Sequence, residues 1–250
     1  MLTRPLKVAV LCSRRAPGLL HLLTRAPRRG VTWEIVCCLT SDDTFEEEVR
    51  VERRGIAVIH HPVRRFYFGR QRNARIGDLS LREEYDAATR DRLRPYNPDV
   101  VLLAGYLLLL TAPMLRAFPE RIFNVHHADL LLRAPDGAPL YPGLRAVRDA
   151  ILAGERETRA TAHIVTPRVD AGTPLLRSWA FPVPEIAHWA MAAEAHDVVR
   201  SVIWAHQEWM LRASFGPLLA RTLDLIVEDD LQAGIRELDF DGTMRPLVLA

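Results

Sequence analysis

One short segment constrains the fold of this chain more than any other. Residues 100–104 read Val-Val-Leu-Leu-Ala, apolar at every position, and the segment ends at Gly105. A strand with one face in water alternates apolar and polar side chains, whereas a strand covered on both faces is apolar throughout. We therefore expect residues 99–105 to form a central strand of a sheet that is buried on both sides.

Apolar runs of strand length alternate with helical patterns along much of the chain. The other expected strands are residues 7–12, 33–39, 56–59, 122–126, 161–166 and 175–181, and the expected helices are residues 19–25, 45–54, 81–94, 113–117 and 144–153. Strands that alternate with helices indicate right-handed crossovers and parallel pairing. The sequence thus predicts an α/β domain over residues 1–184, with a Rossmann-like, mostly parallel sheet and helices on both faces.

Residues 185–250 carry a different pattern. Apolar side chains recur at spacings of three and four over residues 185–230, which predicts helices, and Gly216-Pro217 is expected to break or bend them. Residues 234–243 have the pattern of a short hairpin whose turn centres on Asp241-Gly242. We expect these C-terminal helices and the hairpin to pack on the same domain.

The charge balance gives no general argument for nucleic acid or an anionic membrane as a partner, because 33 basic and 31 acidic residues leave a net charge of +2. No apolar run approaches the roughly 18 residues of a membrane span. Cys12, Cys37 and Cys38 lie in apolar runs, which favours reduced, packed thiols in a cytoplasmic protein. The sequence carries no signal for an oligomeric state.

The stretch from Arg64 to Arg75 is basic, aromatic and without clear periodicity. Arginines interleaved with aromatic rings can stack on bases and neutralise phosphates. Because the stretch is single and the overall charge is nearly balanced, a solvated or substrate-facing loop is the favoured interpretation, and nucleic acid binding is the weaker one.

Polar side chains that can perform chemistry follow two of the expected strands. Asn124 and His126 are two residues apart and should share one face near a strand end, while Asp170 lies in the turn-rich segment after strand 161–166. The two loops that carry these residues are expected at the same edge of the sheet. An amide that donates to an oxyanion, a titratable imidazole and a carboxylate that takes a proton are the groups that acyl transfer requires. A metal site at His126, His127 and Asp129 is the weaker interpretation, because adjacent histidines on a strand face opposite ways.

Several ordered motifs in this sequence resemble the folate-dependent formyltransferases, most closely the branch that acts on glycinamide ribonucleotide. The similarity covers approximately residues 6–245. The matching segments are Pro98-Asp99-Val100-Val101-Leu102-Leu103-Ala104-Gly105-Tyr106, Asn124-Val125-His126, Tyr141-Pro142-Gly143 and Val169-Asp170-Ala171-Gly172-Thr173-Pro174-Leu175-Leu176.

The resemblance implies a site as well as a fold. Asn124, His126 and Asp170 match the catalytic amide, histidine and aspartate of the family, His163 matches a supporting histidine, and 10-formyltetrahydrofolate is the implied formyl donor. The segments implied to bracket its pterin ring contribute Tyr106, Leu107, Leu108, Leu110, Val165, Thr166, Arg168 and Val169.

This sequence departs from the resemblance where the acceptor is expected to bind. Ser13-Arg14-Arg15-Ala16-Pro17-Gly18 replaces a glycine-rich phosphate loop, which disfavours glycinamide ribonucleotide itself. Arg14 and Arg15 are expected to bind another anionic group, and Arg64 and Arg65 give the same hint. The family's Pro-Ser pair is His127-Ala128 here, and a long loop follows to Gly143, so His127 and Asp129 are further acceptor-binding candidates.

The sequence therefore predicts an N-formyltransferase that acts on a small, anionic amine. Two alternatives remain open. A hydrolase that releases formate from the same donor would use the same three residues with water as nucleophile. A non-catalytic protein that binds folate or a partner on this scaffold would also explain the altered acceptor loops.

Overall fold

The computed structural model describes residues 4–25, 32–70, 75, 77–231 and 234–247. The strands are β1 Leu6–Cys12, β2 Trp33–Thr40, β3 Ala57–His60, β4 Val100–Leu103, β5 Ile122–His126, β6 Glu157–Thr158, β7 Thr161–Ile164, β8 Pro174–Ser178, β9 Phe181–Pro182, β10 Arg236–Leu238 and β11 Met244–Pro246. The α-helices are α1 Leu19–Thr24, α2 Glu48–Glu52, α3 Val63–Arg70, α4 Leu79–Leu93, α5 Ala112–Ala117, α6 Ala146–Leu152, α7 Glu185–Ala192 and α8 His196–Glu228.

Nine of the strands form one sheet, in the order β11-β10-β8-β7-β5-β4-β1-β2-β3. The run from β3 to β5 is parallel throughout, which confirms a mostly parallel α/β sheet. Strand β4 lies between β1 and β5, and all four of its residues are buried. The uniformly apolar segment is therefore a central strand, as its composition predicts.

Two apolar clusters cover the two faces of this sheet, and β1 contributes to both. Val8 and Val10 belong to the cluster that contains the apolar face of α8, whereas Ala9 and Leu11 belong to the cluster that contains α4 and α5 residues. All four are fully buried. Because successive strand residues point to opposite faces, one apolar strand joins both layers, and each large side chain buried in this way contributes about 1.5–3 kcal/mol.

The sheet turns antiparallel beyond β5. Strand β7 pairs antiparallel with β5 and with β8, so the segment after β7 leaves from the opposite end of β5. The expectation that the loops bearing His126 and Asp170 leave the same sheet edge is therefore wrong. The apolar pattern of a short strand does not encode its direction, which explains the error.

Two further segments differ from the sequence prediction. Residues 63–70, expected to be a loop, form α3, with Val63 and Tyr67 buried against α4. The predicted strand 175–181 is two strands, since β9 leaves the main sheet and pairs with β6. Residues 71–74 and 76 of the basic stretch lie outside the described residues.

Helix α8 runs unbroken for 33 residues through Pro217, so the break expected there is wrong. The packing of α8 against α1 explains why the helix continues. A Cβ on Gly216 would lie 2.4 Å from the Cβ of His21, and a Cβ on Gly18 would lie 2.8 Å from the Gly216 nitrogen. Helices α1 and α8 thus pack backbone to backbone, with Phe215, Leu218 and Leu219 buried around them, and this packing outweighs the one hydrogen bond that proline removes.

The C-terminal hairpin forms as expected. Strands β10 and β11 pair antiparallel, the Asp239 backbone N–H donates to the Thr243 carbonyl, and β10 extends the main sheet beside β8. Cys12, Cys37 and Cys38 are buried free thiols. Over the described ranges, no helix is long and apolar enough to cross a bilayer.

Candidate active site

A cavity of about 570 Å³ opens where β1, β4 and β5 end. Three groups of residues line it. The loop lining comprises residues 106–110 together with Val165, Thr166, Val169 and Asp170 of the segment after β7. The helix lining comprises Ser13, Arg14, Arg15 and Pro17 of the β1–α1 loop together with Gln207, Glu208, Leu211 and Phe215 of α8. Between them lies the polar cluster of Asn124, His126 and His163.

The structure brings the predicted catalytic residues into contact. The Nδ1 atom of His126 lies 3.4 Å from Oδ2 of Asp170, and Nε2 of His163 lies 3.6 Å from the other carboxylate oxygen. Asn124 Nδ2 lies 3.2 Å from the same Nε2 of His163. Asn124, His126 and Asp170 therefore form one cluster, with His163 beside all of them.

The contacts of His163 define its tautomer. Its Nδ1 lies 3.0 Å from the Ile164 carbonyl oxygen, which can only accept, so Nδ1 carries the proton. Burial lowers the pKa of His163 to about 4, although the Asp170 carboxylate opposes that shift. The neutral ring then presents an unprotonated Nε2, which accepts from the Asn124 amide. His163 thereby fixes which way the Asn124 amide points.

His126 is held at both ring nitrogens. Nε2 donates to the Tyr141 carbonyl at 2.9 Å, and Nδ1 faces the Asp170 carboxylate. Both partners are hydrogen-bond acceptors. These two contacts fix the orientation of the His126 ring beside Asp170.

Asp170 reaches the cluster because the segment after β7 folds back tightly. A Cβ on Gly172 would lie 1.7 Å from the Ile164 carbonyl oxygen, so only glycine fits there. Asp170 itself adopts a left-handed backbone conformation, φ 51°, and its Oδ2 accepts the Gly143 N–H at 2.7 Å. Such strained positions are found preferentially at functional sites, where neighbouring contacts hold them in place.

The loop lining exposes apolar side chains to the cavity mouth. Leu107 is 58% exposed and Val169 is 47% exposed. The residues of this lining that the resemblance implied do line the cavity, with the exception of Arg168, whose guanidinium lies 3.8 Å from Asp136 outside it. The end of the 106–110 segment is fixed from α4, because Asp86 accepts both the backbone N–H and the hydroxyl of Thr111.

Ion pairs cross the helix lining. Arg15 makes a bidentate pair with Glu208 of α8, at 3.0 and 3.1 Å, and the Arg14 guanidinium lies 3.2 Å from Glu46. The side chain of His127 packs on Phe215, with ring centroids 4.8 Å apart, and burial lowers the pKa of His127 to about 4. His127 thus lines the cavity as a neutral ring.

Asp129 lies outside the cavity, contrary to its prediction as an acceptor ligand. One carboxylate oxygen pairs with Arg177 at 2.9 Å, and the other accepts the Leu131 N–H. The long loop turns away from the cavity after His127, since Leu130 and Ala128 are tied to the hydroxyl of Thr161. Asp129 therefore anchors this loop.

Sequence analysis missed the contribution of α8 to the site. The recurring apolar spacings predicted helices there but no cavity wall. Leu211 and Phe215 lie in the core, and Gln207 and Glu208 face the cavity one turn earlier. The available signal was a pair of adjacent polar residues, Gln207 and Glu208, within a helical pattern that is otherwise rich in apolar side chains. Among the described residues, no group of three or more His, Cys, Asp or Glu side chains is placed to hold a metal ion.

Comparisons with known proteins identify the family of this chain. The profile of the family described as formyl transferase matches residues 6–203. The trifunctional purine biosynthetic protein adenosine-3 of Drosophila melanogaster is 30% identical over 176 residues, which are 69% of this chain and 11% of that protein. The formyltetrahydrofolate deformylase of Escherichia coli K12 is 26% identical over 215 residues, 86% of this chain and 66% of that protein. The chain thus spans less than the full length of both relatives.

Solved structures show the same fold. Glycinamide ribonucleotide transformylase 1 from Symbiobacterium toebii aligns with a TM-score of 0.65 at 25% identity, covering 91% of this chain and 90% of that one. A formyltetrahydrofolate deformylase from Pseudomonas syringae aligns with a TM-score of 0.67 at 23% identity, covering 91% of this chain and 63% of that one. The family match over residues 6–203 includes most of the strands of the sheet and most of the residues that line the cavity. The chain belongs to the formyl transferase family.

Proposed function

We propose that this protein transfers the formyl group of 10-formyltetrahydrofolate to the amine of a small acceptor. The observation that carries the proposal is the convergence of Asn124, His126 and Asp170 on one cavity in a chain of this family. The volume of about 570 Å³ lies within the range of roughly 300–1,000 Å³ that is usual for small-molecule sites.

The loop lining suits the flat ring system of the donor. Exposed apolar side chains normally lie scattered on a protein surface, whereas Leu107, Leu109 and Val169 are exposed together around this cavity. A bicyclic ring placed between residues 106–110 and 165–169 covers this apolar surface. We assign Tyr106, Leu107, Leu108, Leu110, Val165, Thr166 and Val169 to donor binding.

The polar cluster and Asp170 together supply each group that the transfer needs. The neutral amine attacks the formyl carbon and forms a tetrahedral oxyanion, which the Asn124 amide and the His126 imidazole stabilise. Asp170 takes the proton that the amine nitrogen loses, through a water. The bond from the formyl carbon to N10 then breaks, N10 is protonated, and tetrahydrofolate and the N-formyl amine leave.

The test is to follow tetrahydrofolate and formate when the protein is incubated with 10-formyltetrahydrofolate, first alone and then with a panel of primary amines. We expect tetrahydrofolate to appear only with a suitable amine, together with an equal amount of the N-formyl product by mass spectrometry. No tetrahydrofolate under any condition, despite tight folate binding, would instead support a non-catalytic folate-binding protein.

Hydrolysis of the same donor is the second candidate. It is favoured by the alignment with the E. coli formyltetrahydrofolate deformylase, which extends over 215 residues of this chain. Water would replace the amine as nucleophile at the same three residues, and formate would be the product. Release of formate and tetrahydrofolate at one rate, whether or not an amine is present, would establish this activity in place of transfer.

A further inference from the structure

The helix lining contains fewer free anion-binding groups than its arginines suggest. Within the described part of the chain, two guanidinium groups line the cavity, those of Arg14 and Arg15. Arg15 is held by both oxygens of Glu208, and Glu46 lies 3.2 Å from Arg14 and 3.9 Å from Arg15. Each positive charge therefore already has a carboxylate partner.

The Arg15–Glu208 pair is well placed to persist. The Glu208 side chain is only 16% exposed, and its pairing with Arg15 lowers the pKa of the Glu208 carboxyl. A bidentate guanidinium–carboxylate pair is the strongest common geometry for two such side chains. A phosphate that bound Arg15 would have to displace this carboxylate or lie beside it.

Part of the backbone of the β1–α1 loop is also unavailable to an anion. The Ser13 N–H donates to the Gly105 carbonyl, the Ala16 N–H donates to a Glu47 carboxylate oxygen at 3.2 Å, and Pro17 has no N–H. A glutamate thus occupies a donor that an anionic ligand would otherwise use. Burial raises the pKa of the Glu47 carboxyl, which fits a position with few compensating cations.

The remaining lining groups add no positive charge. His127 is neutral, Gln207 is uncharged, and Asp42 adds a further carboxylate at the same end of the cavity. Arg212, a turn beyond on α8, points to Glu208 as well, at 3.4 Å. The carboxylates of Asp42 and Glu208 thus equal in number the guanidinium groups of Arg14 and Arg15 that line this side of the cavity.

From these contacts we infer that the helix lining accepts an amine whose body is neutral or cationic and carries no phosphate. The inference rests on the proposed formyl transfer and specifies its acceptor class. The inferred acceptor differs from the anionic one that Arg14 and Arg15 suggested in the sequence. The carboxylates that pair with these arginines, Glu46 and Glu208, come from distant parts of the chain. Hydroxyl, amide or additional ammonium groups are the partners that Glu208, Gln207 and Asp42 can bind.

The test compares matched amines with and without a phosphate, namely glucosamine with glucosamine 6-phosphate and glycinamide riboside with glycinamide ribonucleotide. Binding is measured by calorimetry in the presence of the folate donor, together with titration of inorganic phosphate, so the result does not depend on turnover. We expect inorganic phosphate not to bind the wild-type helix lining at millimolar concentration, and neither phosphorylated amine to bind more tightly than its partner.

The Glu208→Gln variant provides the internal control, because it removes the carboxylate that forms the bidentate pair with Arg15 and keeps the size of the side chain. We expect it to bind inorganic phosphate and the phosphorylated amines about 10-fold more tightly than the wild type, the effect of one charge-assisted hydrogen-bonding group. Glu84→Gln makes the same charge change at the Arg70 pair on α3 and α4, and should leave phosphate binding unchanged.

Submillimolar phosphate binding by the wild type that disappears in Arg15→Ala, or a wild-type preference for the phosphorylated amines, would overturn the inference. These outcomes are independent of the formyl transfer itself. A protein that showed the expected binding but no folate turnover would refute the proposed function and leave the charge selectivity of the cavity intact.

Discussion

The loop lining and the helix lining of the cavity are built from different parts of the chain. The loop lining and the polar cluster come from segments next to strands β4, β5 and β7. They present apolar side chains and three types of reacting side chain to the cavity, namely amide, imidazole and carboxylate. The helix lining joins the β1–α1 loop to α8, through an ion pair between residues 193 positions apart.

We therefore assign the donor and the acceptor to different linings of the cavity. Chemistry and donor binding depend on short segments that the sheet positions, whereas acceptor choice depends on how α8 packs against α1. The two linings meet at His127 and Phe215, whose rings are in contact. Changes confined to one lining should therefore affect one substrate more than the other.

The largest effect is expected from Asp170→Asn. The amide keeps the size of the side chain but cannot take the proton from the attacking amine, so turnover should fall about 10³-fold. Folate affinity, measured by fluorescence titration, should change less than about 3-fold, since Asp170 contributes little apolar surface. Turnover within about 10-fold of the wild type would contradict the assignment of Asp170 as the proton acceptor.

Gly216→Ala should act on the helix lining. Its new Cβ would lie 2.4 Å from the Cβ of His21, so α8 must shift, at a cost of roughly 1–3 kcal/mol in unfolding free energy. We expect the acceptor KM to rise about 10-fold, with the donor KM nearly unchanged, in steady-state assays.

Gly69→Ala is the matched control for this substitution, because a Cβ there meets nothing within 4 Å. Its stability and both KM values should stay close to those of the wild type. An equal rise in donor and acceptor KM in Gly216→Ala would show that the two linings do not act separately.

A smaller, pH-dependent effect is expected at Asp86, which fixes the end of the loop lining. Burial raises the pKa of the Asp86 carboxyl to about 6 from the ordinary value of 3.8. The folded state therefore holds this proton more tightly than the unfolded state, and the stability that Asp86 contributes declines as the pH rises from about 4 to 6.

Asp86→Asn should remove this dependence, since the amide oxygen can still accept from Thr111. In urea unfolding followed by tryptophan fluorescence, the variant should gain stability relative to the wild type as the pH rises from 4 to 6, on the order of 1–3 kcal/mol, with a plateau above 6. A difference that is constant with pH would rule out an elevated Asp86 pKa.

The sequence predicted the parts of the site that are encoded locally. The apolar run of β4 indicated a buried strand, the spacing of Asn124 and His126 placed them on one face, and the turn-rich segment after strand 161–166 placed Asp170 in a turn. Each of these features depends on residues within a few positions of one another.

The parts that sequence reasoning missed depend on long-range packing. Strand polarity reversed at β7 without any local signal, and α8 passed through Pro217 because Gly216 lets it approach α1. The arginines at 14 and 15 suggested an anionic ligand, but their partners Glu46 and Glu208 are apparent only once the chain is folded.

The most direct test of the two-part cavity is hydrogen–deuterium exchange measured with the donor alone and then with donor and acceptor together. We predict that 10-formyltetrahydrofolate alone slows exchange in residues 106–110 and 165–170 and leaves residues 14–18 and 207–215 unchanged. Addition of the amine should then protect the second pair of segments. Donor protection confined to residues 14–18 and 207–215, or spread equally over both linings, would contradict the account.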